Sequence, residues 1–177
     1  MRTLSSDRPD LLTLQHELAG AFQADGQVNR AVELLEHIVN VEGALLDAEN
    51  PDRLASMHEL ARAYQADGQN KRAVPLLEYV VAVEMRILSE EDPARLASQH
   101  MLAIFYLAEG QISHALRLLD HVVAVRERWL DSDHPDRRAS HHDYAAARRD
   151  FWVHAQTQDT STVSEQQQQS LNTTHFD

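Results

Sequence analysis

A histidine recurs every 42 residues along this 177-residue chain, at His16, His58, His100 and His142. Imidazole can bind a metal ion, and it can both donate and accept hydrogen bonds. Metal binding is disfavoured, because equivalent residues on stacked helices lie about 8–10 Å apart, whereas zinc holds nitrogen ligands at about 2.0–2.1 Å. We therefore predict hydrogen-bonding histidines, sensitive to pH near neutrality, and no metal site. Their partner is either a bound ligand or a neighbouring helix that they help to order.

The other polar residues form no pattern typical of an active site. The chain has no cysteine, which excludes thiolate zinc sites and cysteine nucleophiles. It contains no H-E-x-x-H motif, no glycine-rich phosphate loop and no Ser–His–Asp order. Its many carboxylates fall on helix faces that are expected to be solvated. The sequence therefore predicts a protein that is not an enzyme and that uses no cofactor.

The segments that carry the histidines share the same period of 42 residues. Prolines open successive units at Pro9, Pro51, Pro93 and Pro135. Glycines follow within the first three units, at Gly26, Gly68 and Gly110. A fixed period of this size indicates a solenoid, in which each unit buries its apolar face against its neighbours. Such an array offers a binding surface rather than a catalytic pocket.

Each unit is predicted to contain two helices. Asn50 and Asp92 can cap first helices that begin with proline, and Asp7 takes this place in the first unit. The glycine then ends the first helix. A second helix follows, with an apolar stripe that in the first unit comprises Ala31, Leu34, Leu35, Ile38, Val41 and Leu45. The same stripe ends at Ile87 and Trp129 in the next two units.

The fold class predicted from this pattern is all-α, a solenoid over residues 9–155. Its repeats are residues 9–50, 51–92 and 93–134, followed by a partial repeat at 135–155. The partial repeat carries Arg148 where the others carry an aromatic residue, which suits a polar cap at the end of the array. Residues 1–8 are expected to be flexible. The polar, glutamine-rich residues 156–177 are expected to be disordered, because they bury too little apolar surface to offset chain entropy.

Charge and hydropathy narrow the range of partners. The formal net charge of −12 argues against nucleic acid and anionic membranes, since either partner would need a basic face. No apolar run approaches the roughly 20 residues that span a bilayer. The N-terminal sequence MRTLSSDRPD lacks the apolar core of a signal peptide. The sequence thus predicts a soluble, cytoplasmic protein with no nucleic-acid or membrane partner.

Residues at fixed places in each unit resemble the signature of tetratricopeptide repeats. In the second unit these are Leu60, Ala61, Tyr64, Gly68, Ala73, Leu77 and Val80. The 42-residue form is similar to the repeats of kinesin light chains and to the near-identical arrays of fungal NOD-like receptors. The resemblance covers residues 9 to about 152 and implies a right-handed α-solenoid. With neither a heptad coiled coil nor a P-loop, the chain is either a fragment of a larger array or a stand-alone scaffold.

In that family the first helix of each repeat lines a concave groove that holds the ligand. The resemblance assigns to this groove His16, Glu17, Gln23, His58, Glu59, Arg62, Gln65, His100, Met101, Ile104, Leu107, His142 and Arg149. Kinesin light chains carry asparagine at the histidine positions, where it grips the peptide backbone. The polar first two units and the apolar third unit suit an extended or helical peptide with one polar or basic end and an apolar anchor near Ile104 and Leu107. Alternatively, Ile104 and Leu107 pack the terminal helix against the third repeat, or a dimer partner against the groove.

The sequence therefore favours a protein- or peptide-binding scaffold, which could form the sensing array of a larger receptor. The alternative is a structural module that oligomerises with its own copies through its ends or its groove and binds no separate ligand. Few units and an incomplete last repeat leave apolar ends exposed, which favours self-association.

Overall fold

The computed structural model describes the backbone of residues 8–173 and the side chains of residues 11–153 and Gln156. In this part of the chain seven helices follow one another: α1 (Arg8–Ala24), α2 (Val28–Leu45), α3 (Pro51–Ala66), α4 (Asn70–Ile87), α5 (Pro93–Ala108), α6 (Ile112–Trp129) and α7 (Pro135–Thr173). Each helix packs against the next one along the chain. The predicted all-α solenoid is confirmed. Residues 1–7, which include the predicted cap Asp7 and most of the predicted flexible segment, lie outside the described residues.

The first helix of each repeat begins where the sequence predicts. Asn50 and Asp92 each accept a hydrogen bond from a backbone N–H in the first turn of the following helix, at 2.9 and 2.8 Å. Such bonds satisfy N–H groups that have no partner inside the helix. In the last unit His134 takes this role, because its Nδ1 accepts from the backbone N–H of Asp136 at 3.2 Å. The histidine cap was not predicted.

The turn between the two helices of a repeat requires glycine. Gly26, Gly68 and Gly110 have φ values of 73°, 73° and 71°, a left-handed conformation that is costly for residues with a Cβ atom. This conformation lets the next N–H reach back to the first helix, as Gln69 does to the Tyr64 carbonyl oxygen at 2.7 Å.

Small and branched residues at equivalent positions build the core, which consists of one main cluster and two smaller ones. The alanines where neighbouring helices meet are fully buried and let the helices approach closely: Ala31, Ala61, Ala73, Ala103 and Ala115. Leucines and β-branched residues of the second helices are also fully buried: Leu35, Leu77, Leu119 and Ile38 in the main cluster, and Val80 and Val122 in the two smaller ones. The main part of the predicted stripe is therefore confirmed.

The end of the predicted stripe is wrong. Leu45, Ile87 and Trp129 are 50%, 39% and 65% exposed. They stand in the last turn of each second helix, where Leu45 and Ile87 border open pockets instead of another helix. Helical periodicity identifies the apolar face of a helix, but it does not tell how far the neighbouring helix extends along it.

Helix α7 also departs from the sequence prediction, which places a disordered tail from residue 156. The helix continues to Thr173. A helix that is already nucleated extends at little cost, and glutamine is a good helix former, so the glutamine run can continue it. None of the helices within residues 8–173 is long and apolar enough to cross a membrane.

Candidate functional site

The repeated histidines connect neighbouring repeats. His16 Nε2 lies 2.9 Å from Ser56 Oγ, and His58 Nε2 lies 3.0 Å from Ser98 Oγ. Both serines are buried and belong to the first helix of the following repeat. Ser56 donates its single hydroxyl hydrogen to the carbonyl oxygen of Asp52, so it accepts from the Nε2–H of His16. These are the contacts expected of histidines that order the stack.

At the third junction between repeats, where α5 meets α7, the histidine bonds to different residues. His100 Nε2 lies 2.9 Å from Asp143 Oδ2, and Arg126 donates to His100 Nδ1 at 3.2 Å. His100 is therefore neutral, with its proton on Nε2. Ser140 occupies the place of the other two buried serines, but its hydroxyl donates within its own helix, to the Arg137 carbonyl oxygen at 2.9 Å.

A tyrosine bond between repeats shows the same change at the third junction. The hydroxyls of Tyr64 and Tyr106 donate to glutamates of the preceding second helices at 2.9 and 2.6 Å. Burial, together with these bonds, raises the pKa of both tyrosines to about 12. In α7 Arg148 stands in the tyrosine position, and Tyr144, one turn earlier, donates to Asp120 at 3.0 Å. The last helix is therefore bonded differently from the others.

Two buried carboxylates at the junctions were missed by the sequence analysis. Glu42 and Glu84 stand at equivalent positions of α2 and α4 and are 3% and 5% exposed. Glu42 Oε1 lies 3.6 Å from His16 Nε2, and the Oε2 atom of each glutamate has no hydrogen-bond partner among the described residues. The equivalent place in α6 holds buried Arg126, which donates to the Asp136 carbonyl oxygen at 3.0 Å. The sequence carries one signal of this site, namely a charged residue that recurs every 42 residues beside the apolar stripe.

Burial disfavours charge at the second junction. It lowers the pKa of His58 below its ordinary value of 6.5, although Glu59 acts in the opposite direction. It also raises the pKa of Glu84 above its ordinary value of 4.5, against the effect of the neighbouring Ser98 hydroxyl. Both groups are thus held closer to their neutral forms than they would be in water.

Two pockets open between consecutive first helices. The α1–α3 pocket has a volume of about 630 Å³ and is lined by Leu12, Thr13, His16, Glu42, Leu45, Leu46, Asp52, Ala55, Ser56 and Glu59. The α3–α5 pocket, of about 430 Å³, is lined by Glu49, Pro51, Leu54, Ala55, His58, Glu59, Glu84, Ile87, Leu88, Asp92, Ala94, Ala97 and Ser98. Ala55 and Glu59 line both pockets, so the two adjoin. Together they contain three of the predicted groove residues, His16, His58 and Glu59.

Both pockets are acidic. Their linings contain the carboxylates of Glu42, Glu49, Asp52, Glu59, Glu84 and Asp92, and neither lining contains a lysine or an arginine. Within the described part of the chain, no group of three or more His, Asp or Glu side chains is placed to hold a metal ion.

The other predicted groove residues lie outside these two pockets. Arg62 forms an ion pair with Glu59 on the same helix, at 3.3 Å. The remaining polar residues are exposed or half-buried: Glu17, Gln23, Gln65, His142 and Arg149. Met101, Ile104 and Leu107 are half-buried and pack against the main core. Packing thus occupies part of each apolar side chain that the sequence offers as a peptide anchor.

Comparisons with known proteins agree with the geometry. Two models of the tetratricopeptide repeat match residues 10–83 and 95–136. A comparison with curated proteins gave no match. Among solved structures, a point variant of nearly identical TPR-like repeats of kinesin light chain type from Podospora anserina is 49% identical. It has a TM-score of 0.76, and the match covers 89% of this chain and 73% of that chain. Another structure of those repeats is 48% identical, with a TM-score of 0.74, and covers 94% and 75%.

Two distant structures share the fold alone. BtubC from P. vanneervenii is 14% identical with a TM-score of 0.75, covering 97% of this chain and 68% of that chain. The Yersinia enterocolitica chaperone SycD, solved with a peptide of the translocator YopD, is 14% identical with a TM-score of 0.58, covering 82% and 95%. Nearly half of the residues aligned with the Podospora arrays are identical. The chain therefore belongs to the tetratricopeptide-repeat family, in the 42-residue form found in those kinesin-light-chain-like arrays.

Proposed function

We propose that the chain is a protein-interaction scaffold whose first-helix face binds an extended segment of a partner protein. The observation that supports this most strongly is the pair of adjoining pockets between α1, α3 and α5, which the protein's own side chains leave open. Pockets repeated from one junction to the next suit a ligand that is itself a repeating, extended chain. Tetratricopeptide repeats are typically scaffolds without catalytic activity, in line with this function.

The relatives support the same function. SycD carries a peptide of its partner in one structure, and although it shares only the fold with this chain, it indicates that the fold can hold a peptide. In a larger receptor, an array of this kind would serve as the sensing part, and the proposal extends to that role in the cytoplasm.

Selection of ligands from a random peptide library tests the proposal. Ala55→Trp fills the shared wall of both pockets, and Ala82→Trp is the matched control, because Ala82 is exposed on α4 and lines neither pocket. Selected peptides should bind Ala82→Trp as tightly as the unmodified protein and should lose at least about tenfold in affinity for Ala55→Trp. Equal affinity for both variants would show that the ligand binds elsewhere and would refute binding in these two pockets.

A second candidate function is self-assembly through the free face of α1. Leu11, Leu14 and Leu18 are 55%, 61% and 47% exposed. The second repeat carries Arg53 and Ser56 where α1 has Leu11 and Leu14, so this face differs from an ordinary repeat junction. Light scattering of the Leu11→Arg/Leu14→Ser variant should show a smaller particle than the unmodified protein if the face self-associates. An unmodified protein that is monomeric under the same conditions would exclude this candidate.

A further inference from the structure

We propose that the two pockets bind two basic side chains of the partner segment, which stand three residues apart in a polyproline II conformation. The inference rests on the proposed function and specifies the chemistry of its ligand. Its ligand class is a lysine- or arginine-containing peptide with the pattern basic-x-x-basic.

The first argument is charge complementarity. The α1–α3 pocket is lined by the carboxylates of Glu42, Asp52 and Glu59, and neither pocket is lined by a lysine or an arginine. Arg95 does act on Glu84 electrostatically, but its guanidinium donates to the Leu88 carbonyl oxygen at 3.2 Å and is not part of the pocket wall. Glu59 and Glu49 are already paired with Arg62 and Arg86, at 3.3 and 2.9 Å. A cationic side chain is therefore attracted chiefly by Glu42 and Asp52 in the α1–α3 pocket, and by Glu84 and Asp92 in the α3–α5 pocket.

The second argument is the incomplete bonding of the buried glutamates. Glu42 and Glu84 are more than nine-tenths buried, and each has one carboxylate oxygen without a hydrogen-bond partner among the described residues. A buried carboxylate oxygen with no donor is unfavourable, because burial removes the water that would otherwise donate a hydrogen bond to it. An ammonium or guanidinium group brought into the pocket supplies the missing positive charge and donors.

The third argument is the chemistry of the remaining walls. Apolar groups line the α3–α5 pocket beside the carboxylates, among them Leu54, Ala55, Ile87 and Ala97. Lysine and arginine carry aliphatic stems that pack on apolar surface while the charged end meets polar groups. The combination of apolar walls and carboxylates suits these two residues better than a short cation.

The spacing follows from the stacking of the first helices. The bond between His16 of α1 and Ser56 of α3 joins consecutive first helices. Packed helices lie about 8–10 Å apart, which is the separation expected for equivalent pockets. A polyproline II helix has three residues per turn and rises about 3.1 Å per residue. Residues i and i+3 of such a segment therefore point to the same side about 9 Å apart, which matches the pockets. In a β-strand these two residues point to opposite sides.

The third junction limits the pattern to two basic residues. Buried Arg126 replaces the glutamate there, and Arg137 donates to the Leu130 carbonyl oxygen at 2.8 Å beside it. A third lysine at i+6 would face the Arg126 guanidinium where the first two junctions have a glutamate, and the carboxylate of Asp143 at this junction is already bonded to His100. The third basic residue should therefore not strengthen binding.

Labelled proline-rich synthetic peptides test the inference by fluorescence anisotropy. The test peptide has two lysines at i and i+3, and the controls have the same composition with lysines at i and i+2, or norleucine at both places. Protein variants Glu42→Gln and Glu84→Gln remove the buried charges, and Glu33→Gln removes an exposed charge of α2 that lines neither pocket. Far-UV circular dichroism checks that each variant remains helical.

We expect the i, i+3 peptide to bind at least about tenfold more tightly than either control peptide. Glu42→Gln and Glu84→Gln should each weaken it several-fold, while Glu33→Gln should not. Equal affinity for both lysine spacings overturns the inference, because it shows attraction to net charge alone. A norleucine peptide that binds as tightly as the i, i+3 lysine peptide, and that loses affinity for Ala55→Trp, would also overturn it, while leaving the proposed function in place. If neither these peptides nor any library peptide binds, the inference and the proposed function fail together.

Discussion

Replacement of Ser98 by alanine tests whether the histidine–serine bond holds adjacent repeats together. Ser98 is 1% exposed, and its hydroxyl lies 3.0 Å from His58 Nε2. The substitution removes one oxygen atom and leaves the helix backbone unchanged. Ser140→Ala is a matched control, because Ser140 is equally buried at the same place of its repeat but donates within its own helix.

The expected effects differ because only Ser98→Ala removes contacts between repeats, namely the bond to His58 and the interaction of the Ser98 hydroxyl with Glu84. Loss of a buried hydrogen bond costs about 0.5–1.5 kcal/mol, and a partner left without a bond adds to that cost. Alanine is the better helix former by a few tenths of a kcal/mol, which offsets part of it. We expect Ser98→Ala to lower the free energy of unfolding by about 1–2 kcal/mol. Ser140→Ala should change it by less than about 0.5 kcal/mol.

Urea unfolding followed by circular dichroism measures both values, and thermal midpoints provide a second measurement. A difference of about 1 kcal/mol corresponds to about 2–4 °C for a chain of this size. A cycle with His58→Ala and the double variant isolates the pairwise contribution. Equal costs for Ser98→Ala and Ser140→Ala would refute the reasoning, because the loss would then come from the local environment of the hydroxyl and not from His58.

Further predictions concern the turns and the buried ionisable groups. Gly68→Ala should destabilise the protein by about 1–2 kcal/mol in urea unfolding, because φ is +73° and open space around the glycine cannot relieve that strain. Gly20→Ala, inside α1 with equally open space, should instead stabilise it by about 0.5–1 kcal/mol. Burial lowers the pKa of His58 and His100 below 6.5. Below pH 6.5 the unfolded chain therefore binds more protons than the folded chain, so urea unfolding at a series of pH values should show the free energy of unfolding falling as the pH decreases. The raised pKa of Glu84 has the opposite effect on stability. Above pH 4.5 the folded chain retains more protons on this carboxyl group than the unfolded chain does, so this group stabilises the fold as the pH decreases. Glu84→Gln should therefore be more stable at pH 7 and lose stability more steeply on acidification, and a pH profile equal to that of the unmodified protein would contradict the raised pKa of Glu84.

The same glutamate links stability and binding. Burial makes the charge of Glu84 unfavourable in the free protein, whereas the proposed ligand makes use of it. A variant that gains stability and loses affinity for the basic peptide would fit this relation.

Repetition in the sequence predicts most of the fold. Pro51, Asn50 and Gly68 recur with the unit, and each acts through its own backbone or its immediate neighbours, as a first helical residue, a cap and a left-handed turn. Such effects are local, so the spacing of residue types is sufficient to predict them. The exposure of Leu45 and Trp129 depends instead on where neighbouring helices end, which no local pattern contains.

The candidate site was predicted only in part for the same reason. The position of His58 is visible in the sequence, but its bond to Ser98 joins residues on different helices. Glu42 and Glu84 stand 42 residues apart and could have been noticed, although only the structure shows that they are buried. At the third junction Arg126 breaks that recurrence, and the bonding changes with it.

The central claim is that the partner segment lies on the first-helix face, and site-specific photocrosslinking tests it most directly. A benzophenone side chain at Ala97, which is exposed and lines the α3–α5 pocket, is compared with one at Ala124, which is exposed on α6 and lines neither described pocket. With a peptide selected by the unmodified protein, mass spectrometry should find the crosslink from position 97 and little from position 124. Strong crosslinking from position 124, with none from position 97, would contradict the account.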